Sequence, residues 1–131
     1  MVTTDKYAEY KRSWRAREEE RSTHLRALSG EARAEASHLA QLLVSQFGAT
    51  RVILFGSLAR GDPRREDFDI DLAVEGIAPE RLFQAGGEIR MGASRDLDLV
   101  DLAAVSEGMR VLIMEQGVSL YEQGHRIEAV G

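Results

Sequence analysis

Gly56-Ser57-Leu58-Ala59-Arg60-Gly61, followed by Asp69-Ile70-Asp71 and later by Leu97-Asp98-Leu99-Val100, is the part of the chain whose reading decides the fold. Val52-Ile53-Leu54-Phe55 ahead of it reads as a buried strand, and Gly56 lets the backbone turn sharply without a Cβ in the way. In an extended chain successive side chains point to opposite faces. Asp69 and Asp71 therefore project together, while Phe68, Ile70 and Leu72 fill the other side. The same alternation turns Leu97 and Leu99 inward and Asp98 outward. Asp96 shares the parity of Asp98 but lies nearer the strand start, and Asp101 falls at the strand end, so Asp98 is the better candidate.

Carboxylates gathered on one face repel one another unless a cation lies between them. Oxygen donors without His or Cys select Mg²⁺ or Mn²⁺ over zinc. Asp69, Asp71 and Asp98 are accordingly the expected metal ligands and catalytic residues, holding two Mg²⁺ ions. Such a pair can activate an attacking hydroxyl and hold a triphosphate with its leaving pyrophosphate. Asp69 and Asp71 are expected to bridge both ions, and Asp98 to hold only the ion on the nucleophile side. Gly56 and Ser57 supply a phosphate-binding turn where a short helix begins, and Arg60 is placed to offset charge on the triphosphate. Neither a Gly-Ser turn nor an Asp-x-Asp pair means much alone. The order of buried strand, Gly-Ser, Arg-rich connection, Asp-x-Asp in an apolar strand and a third acid in a later strand points to nucleotidyl transfer.

The rest of the chain frames this site. With 131 residues, 44% hydrophobic, it is sized for one domain, and its net charge of -5 argues against coating nucleic acid. There is no cysteine, which excludes disulfides and thiolate chemistry, and His24, His38 and His125 have no metal-ligand spacing. The N-terminus lacks an apolar leader and no run is long enough to span a membrane, so the cytoplasm is expected. Asp5 to Leu28 is rich in Arg, Glu and Ala and reads as an exposed helix. Tyr7, Tyr10, Trp14, Arg21, Leu25 and Leu28 form a stripe along it, suited either to a partner or to its own domain. Ser29-Gly30 is expected to break that helix. A second helix from Ala32 to Phe47 then buries Leu39, Leu42, Leu43 and Phe47 and ends at Gly48.

Further on, Phe68 to Val74 reads as a strand, and Pro79 opens a helix carrying Leu82, Phe83 and Ile89. Asp96 to Leu102 is the next strand. Ser106 caps a last helix with Met109, Leu112 and Ile113 on its apolar face, and Val118 to Tyr121 adds a short strand. The expected fold is α+β, a small mixed β-sheet with helices packed on one side. Residues 1–30 form an N-terminal helical extension, 31–123 the core and 124–131 a tail.

Gly56-Ser57, eleven intervening residues, Asp69-Ile70-Asp71, Asp98-Leu99-Val100 and the closing Gly117-Val118-Ser119-Leu120-Tyr121-Glu122 together resemble the smallest branch of the DNA polymerase β-type nucleotidyltransferases, the minimal nucleotidyltransferases. The resemblance covers about Gln41 to Gln123. Phe68 stands where relatives often carry a small Ser, and the helix before Ala32 is longer than the family minimum. Family members of this size pair with a HEPN-domain RNase toxin as its antitoxin. The resemblance implies transfer of AMP from ATP to a tyrosine hydroxyl of that toxin, with ATP and the toxin as partners. The alternatives are an antitoxin acting by contact alone, or a transferase modifying an aminoglycoside-like small molecule or tRNA. The chain carries no separate substrate domain, so the acceptor is expected to be held by a partner, a second copy or the N-terminal helices.

Overall fold

The computed structural model describes residues 3–61 and 63–124, with the side chains of residues 3–5 left aside; His125 and the tail beyond Gly124 lie outside the described residues. The chain opens with one helix, α1, running from Thr3 to Phe47. The expected break at Ser29-Gly30 does not occur. Ser29 is buried and its Oγ donates to the Leu25 carbonyl at 2.8 Å, so the hydroxyl is satisfied within the helix. Gly30 weakens a helix by about 1 kcal/mol relative to Ala, which the burial of Leu25, Ala32, Ala36, Leu39 and Leu43 on either side outweighs. Gly48, at φ 76°, ends the helix, its N–H donating to Val44 O at 3.1 Å.

β1 (Arg51–Phe55), the short helix α2 (Ser57–Arg60), β2 (Ile70–Glu75), α3 (Pro79–Gly92), β3 (Leu97–Asp101), α4 (Glu107–Gln116) and β4 (Val118–Glu122) follow in that order. The four strands form one mixed sheet in the order β3-β2-β1-β4. β1 is antiparallel to both β2 and β4, whereas β2 and β3 are parallel and are joined by the crossover helix α3. The fold is α+β, with the mixed sheet and long N-terminal helix that the sequence predicts.

Alternate residues of the strands feed two apolar clusters. Val52, Leu54, Ile70, Leu72, Val74 and Leu97 join α1, α2 and α3 on one face. Ile53 and Ala73 meet Leu102 and Ile113 of α4 on the other. The helices thus do not all lie on one side, because Ile113 gives α4 a contact of its own with the opposite face. That contact is narrow: of the three expected apolar positions on α4 only Ile113 is buried, and Met109 and Leu112 are exposed. On α3 the buried positions are Ala85, Gly86 and Ile89, and Phe83 is 91% exposed, since it lies about 100° around the helix from Leu82. Ser106 caps α4 as predicted, its Oγ accepting from Met109 N at 3.2 Å. No helix among the described residues is long and apolar enough to cross a membrane.

Candidate active site

Three chain segments meet at one end of the sheet. β1 ends there at Phe55, and β2 and β3 both begin there. The antiparallel register sets Phe55 opposite Asp71, and the parallel register sets Asp71 opposite Asp98. Neighbouring strands stand about 4.8 Å apart, so the two carboxylates rise from adjacent backbones on the same face. Asp69 lies one residue ahead of β2, outside the ladder, yet it keeps the predicted alternation. Phe68 and Ile70 on either side of it are buried, and Asp69 is exposed. Ile70 N donates to Asp96 O at 3.0 Å, which ties the starts of the two parallel strands together.

Asp71 is the electrostatic centre of this arrangement. Its carboxyl is held above its ordinary value of 3.8, first by burial, then by the negative charge of Asp98, then by that of Asp69. The acids predicted from separate strands therefore feel one another. Asp98 and Asp69 are exposed and Asp71 is half-buried. Asp101 stands apart from the group, its Oδ1 accepting from Ala103 N at 3.0 Å in the turn after β3. No cluster of three or more His, Cys, Asp or Glu side chains closes around a single ion position among the described residues.

The turn after β1 lies directly beside this centre. Gly56 has φ 80°, a conformation that L side chains rarely adopt. A Cβ placed there would collide with Asp71 Oδ2. Ser57 begins α2, and Gly56 O accepts from Ala59 N at 3.1 Å and from Arg60 N at 3.3 Å. Ser57 and exposed Arg60 line a cleft of about 670 Å³, together with Pro63, Arg64 and Arg65. Asp71 and Asp98 do not line it; by strand alternation they share the sheet face of Ala73 and Val100, which is also the face that meets α4. Asp69 lines a second cleft, of about 450 Å³, with Glu31, Glu35 and Asp96.

Two arginines that sequence reading did not single out fix the backbone around these groups. Arg33 of α1 donates to Leu58 O through Nε at 3.3 Å and Nη2 at 3.2 Å, and through Nη2 to Gly61 O at 2.9 Å, gripping the end of α2. Arg95 stacks 3.6 Å from the centre of the Phe68 ring and donates to Glu66 O at 2.6 Å and Phe68 O at 3.0 Å, bracing the approach to Asp69. Both act across more than twenty residues of sequence. The only signal available in the sequence was the excess of arginine itself.

Comparison with known proteins agrees with the fold. Residues 37–126 match the family model described as polymerase beta, nucleotidyltransferase. The chain belongs to that family. A toxin–antitoxin complex with AMP-PNP contains a chain 25% identical, at a TM-score of 0.56, over 69% of this chain and 74% of that one. An MntA–HepT toxin–antitoxin complex matches at 21% identity and a TM-score of 0.55, over 70% of this chain and 73% of the other. A tri-AMPylated Shewanella oneidensis HEPN toxin in complex with an MNT antitoxin matches at 22% identity and a TM-score of 0.55, over 70% and 73%. These likenesses concern the fold. No curated protein matches the chain.

Proposed function

We propose that this family member is a Mg²⁺-dependent nucleotidyltransferase that moves AMP from ATP to a hydroxyl of a partner protein, a tyrosine of a HEPN-domain toxin, and so acts as its antitoxin. The observation that carries the reading is the juxtaposition of Asp71 with Asp98 in register and with Gly56 beneath its carboxylate. The ATP analogue in one structural relative and the AMPylated toxin in another support the choice of nucleotide and acceptor.

The residues present fit a hard divalent cation. The donors are all carboxylate oxygens; the Asp71 carboxyl is held above its ordinary value first by burial and then by the negative charges of Asp98 and Asp69, and a cation would reverse the sign of those charge interactions. Asp69, Asp71 and Asp98 would hold Mg²⁺, whose charge would offset that of the triphosphate and favour ionisation of the acceptor hydroxyl. An open set of carboxylates suits Mg²⁺, which keeps water and substrate phosphate among its ligands. Gly56 and Ser57 would seat the phosphates, and Arg60 would offset charge on the departing pyrophosphate. In transfer, the acceptor oxygen bonds to the α-phosphorus as the bond from that phosphorus to the bridging oxygen breaks. Pyrophosphate leaves with the bonding pair, and Asp98 would receive the hydroxyl proton.

The test is incubation of the purified chain with its HEPN partner, Mg²⁺ and α-labelled ATP. Label is expected on a toxin tyrosine with the wild-type chain and on none with Asp69→Asn or Asp71→Asn. Neutralisation of the toxin that survives both substitutions without any label would instead establish an antitoxin acting by contact.

A further inference from the structure

The N-terminal half of α1 is the largest feature that the site leaves unused. From Lys6 to His24 every side chain is exposed except Ala8 and Glu18, which are partly covered, and Leu25 is the first buried residue. At 1.5 Å per residue this is an arm of about 28 Å. It lies outside the part matched by the family model, which begins at residue 37.

The arm carries the only tryptophan and two of the three tyrosines of the protein. Tyr7 is 62%, Tyr10 64% and Trp14 53% exposed. Their spacings of three and four residues set the rings on one strip of the helix, which Leu25 and Leu28 continue into the core. Trp, Tyr and Arg are the residues that dominate binding energy at protein interfaces. Between Lys6 and Arg17 five cations, Lys6, Lys11, Arg12, Arg15 and Arg17, stand against the single acid Glu9. Glu18, Glu19 and Glu20 follow directly, so the basic character belongs to the aromatic end of the arm, whose complement is apolar and acidic.

The arm is also held at a set position relative to the candidate site. Arg21 Nη2 donates to Arg64 O at 3.1 Å, and His24 Nε2 lies 2.6 Å from Glu66 Oε1. Arg64 belongs to the loop that lines the cleft beside Ser57 and Arg60. A body lying on the strip would thus reach the cleft at a fixed angle.

We infer that the arm is the docking surface for the acceptor protein, taking an acidic helical face with apolar side chains along Tyr7, Tyr10 and Trp14. That this occupant is the acceptor rests on the function proposed above. Helical spacing of the rings favours a protein over a nucleic acid, as does the net charge of -5.

Trp14, the sole tryptophan, reports docking directly by fluorescence. Titration with the HEPN-domain protein is expected to shift and quench its emission. Tyr7→Ala, Tyr10→Ala and Trp14→Ala together are expected to weaken the complex by about tenfold or more, measured calorimetrically. Lys11→Glu with Arg15→Glu should weaken it while leaving Trp14 in place. In both variants KM for the acceptor protein should rise while the affinity for an ATP analogue and the helical circular dichroism stay unchanged. An unaltered dissociation constant in the triple variant overturns the inference. So does a self-association in sedimentation velocity that the triple variant abolishes, or arm-dependent binding of a single-stranded RNA oligonucleotide without binding of the protein. Arm-dependent binding without nucleotide transfer would sink the proposed function and leave the docking surface standing. Transfer with unchanged binding and KM in the arm variants would do the reverse.

Discussion

The Asp71 carboxylate occupies the space that a Cβ on Gly56 would fill. The turn after β1 and the central acid are thus fitted closely to each other. Gly56→Ala must displace Asp71 and also place Ala at φ 80°. The expected result is a loss of about 1–3 kcal/mol in stability by urea denaturation, together with loss of ATP-analogue binding.

Asp71→Asn should act on stability in the opposite direction. Because burial, Asp98 and Asp69 raise the Asp71 pKa above 3.8 in the folded protein, the folded state binds that proton more tightly than the unfolded one. Ionised Asp71 therefore costs stability as the pH rises through the raised value, and the cost vanishes below the unfolded value. The variant is expected to be more stable than wild type at pH 7 without Mg²⁺, with the difference closing below about pH 4. Denaturation at the two pH values checks this. A variant less stable at pH 7 would contradict the electrostatic account.

Arg33 is a positioning residue, since its guanidinium holds the Leu58 and Gly61 carbonyls around α2. Arg33→Met removes the grip on Leu58 and Gly61 and should weaken ATP-analogue binding by about tenfold, or ~1.4 kcal/mol. Arg33→Lys, which can reach one of the carbonyls, should recover part of it. A uniform fall in thermal stability with unchanged affinity would show that the grip serves the fold alone.

Nothing lies within 4 Å of a Cβ built at Gly30, although the residue sits inside α1. Gly30→Ala should therefore stabilise the protein by about 0.5–1 kcal/mol and leave nucleotide binding unchanged. Thermal denaturation measures it. A loss of stability would show that α1 needs freedom at this point.

The placement of the acids in the candidate site was legible in the sequence because it rests on local alternation. Phe68, Ile70 and Leu72 had to face inward, which left Asp69 and Asp71 together, and the same rule placed Asp98 on its own strand. What the sequence could not show was the pairing between strands, and only the parallel register brings Asp98 beside Asp71. The break expected at Ser29-Gly30 failed because a side-chain bond to Leu25 and the packing on both sides outweighed two weak helix formers. The burial of α4 through Ile113 alone, on the opposite face of the sheet, is likewise a tertiary outcome that no helical periodicity encodes. Arg33 and Arg95 act on distant carbonyls, and residue type carries no mark of such a role.

Calorimetric titration with a non-hydrolysable ATP analogue, with and without Mg²⁺, tests most directly whether the acids and the turn form one site. Binding is expected for the wild-type chain only when Mg²⁺ is present, and should disappear in Asp69→Asn, Asp71→Asn and Asp98→Asn while Asp101→Asn retains it. Binding that ignores both the metal and the three acids would contradict the account.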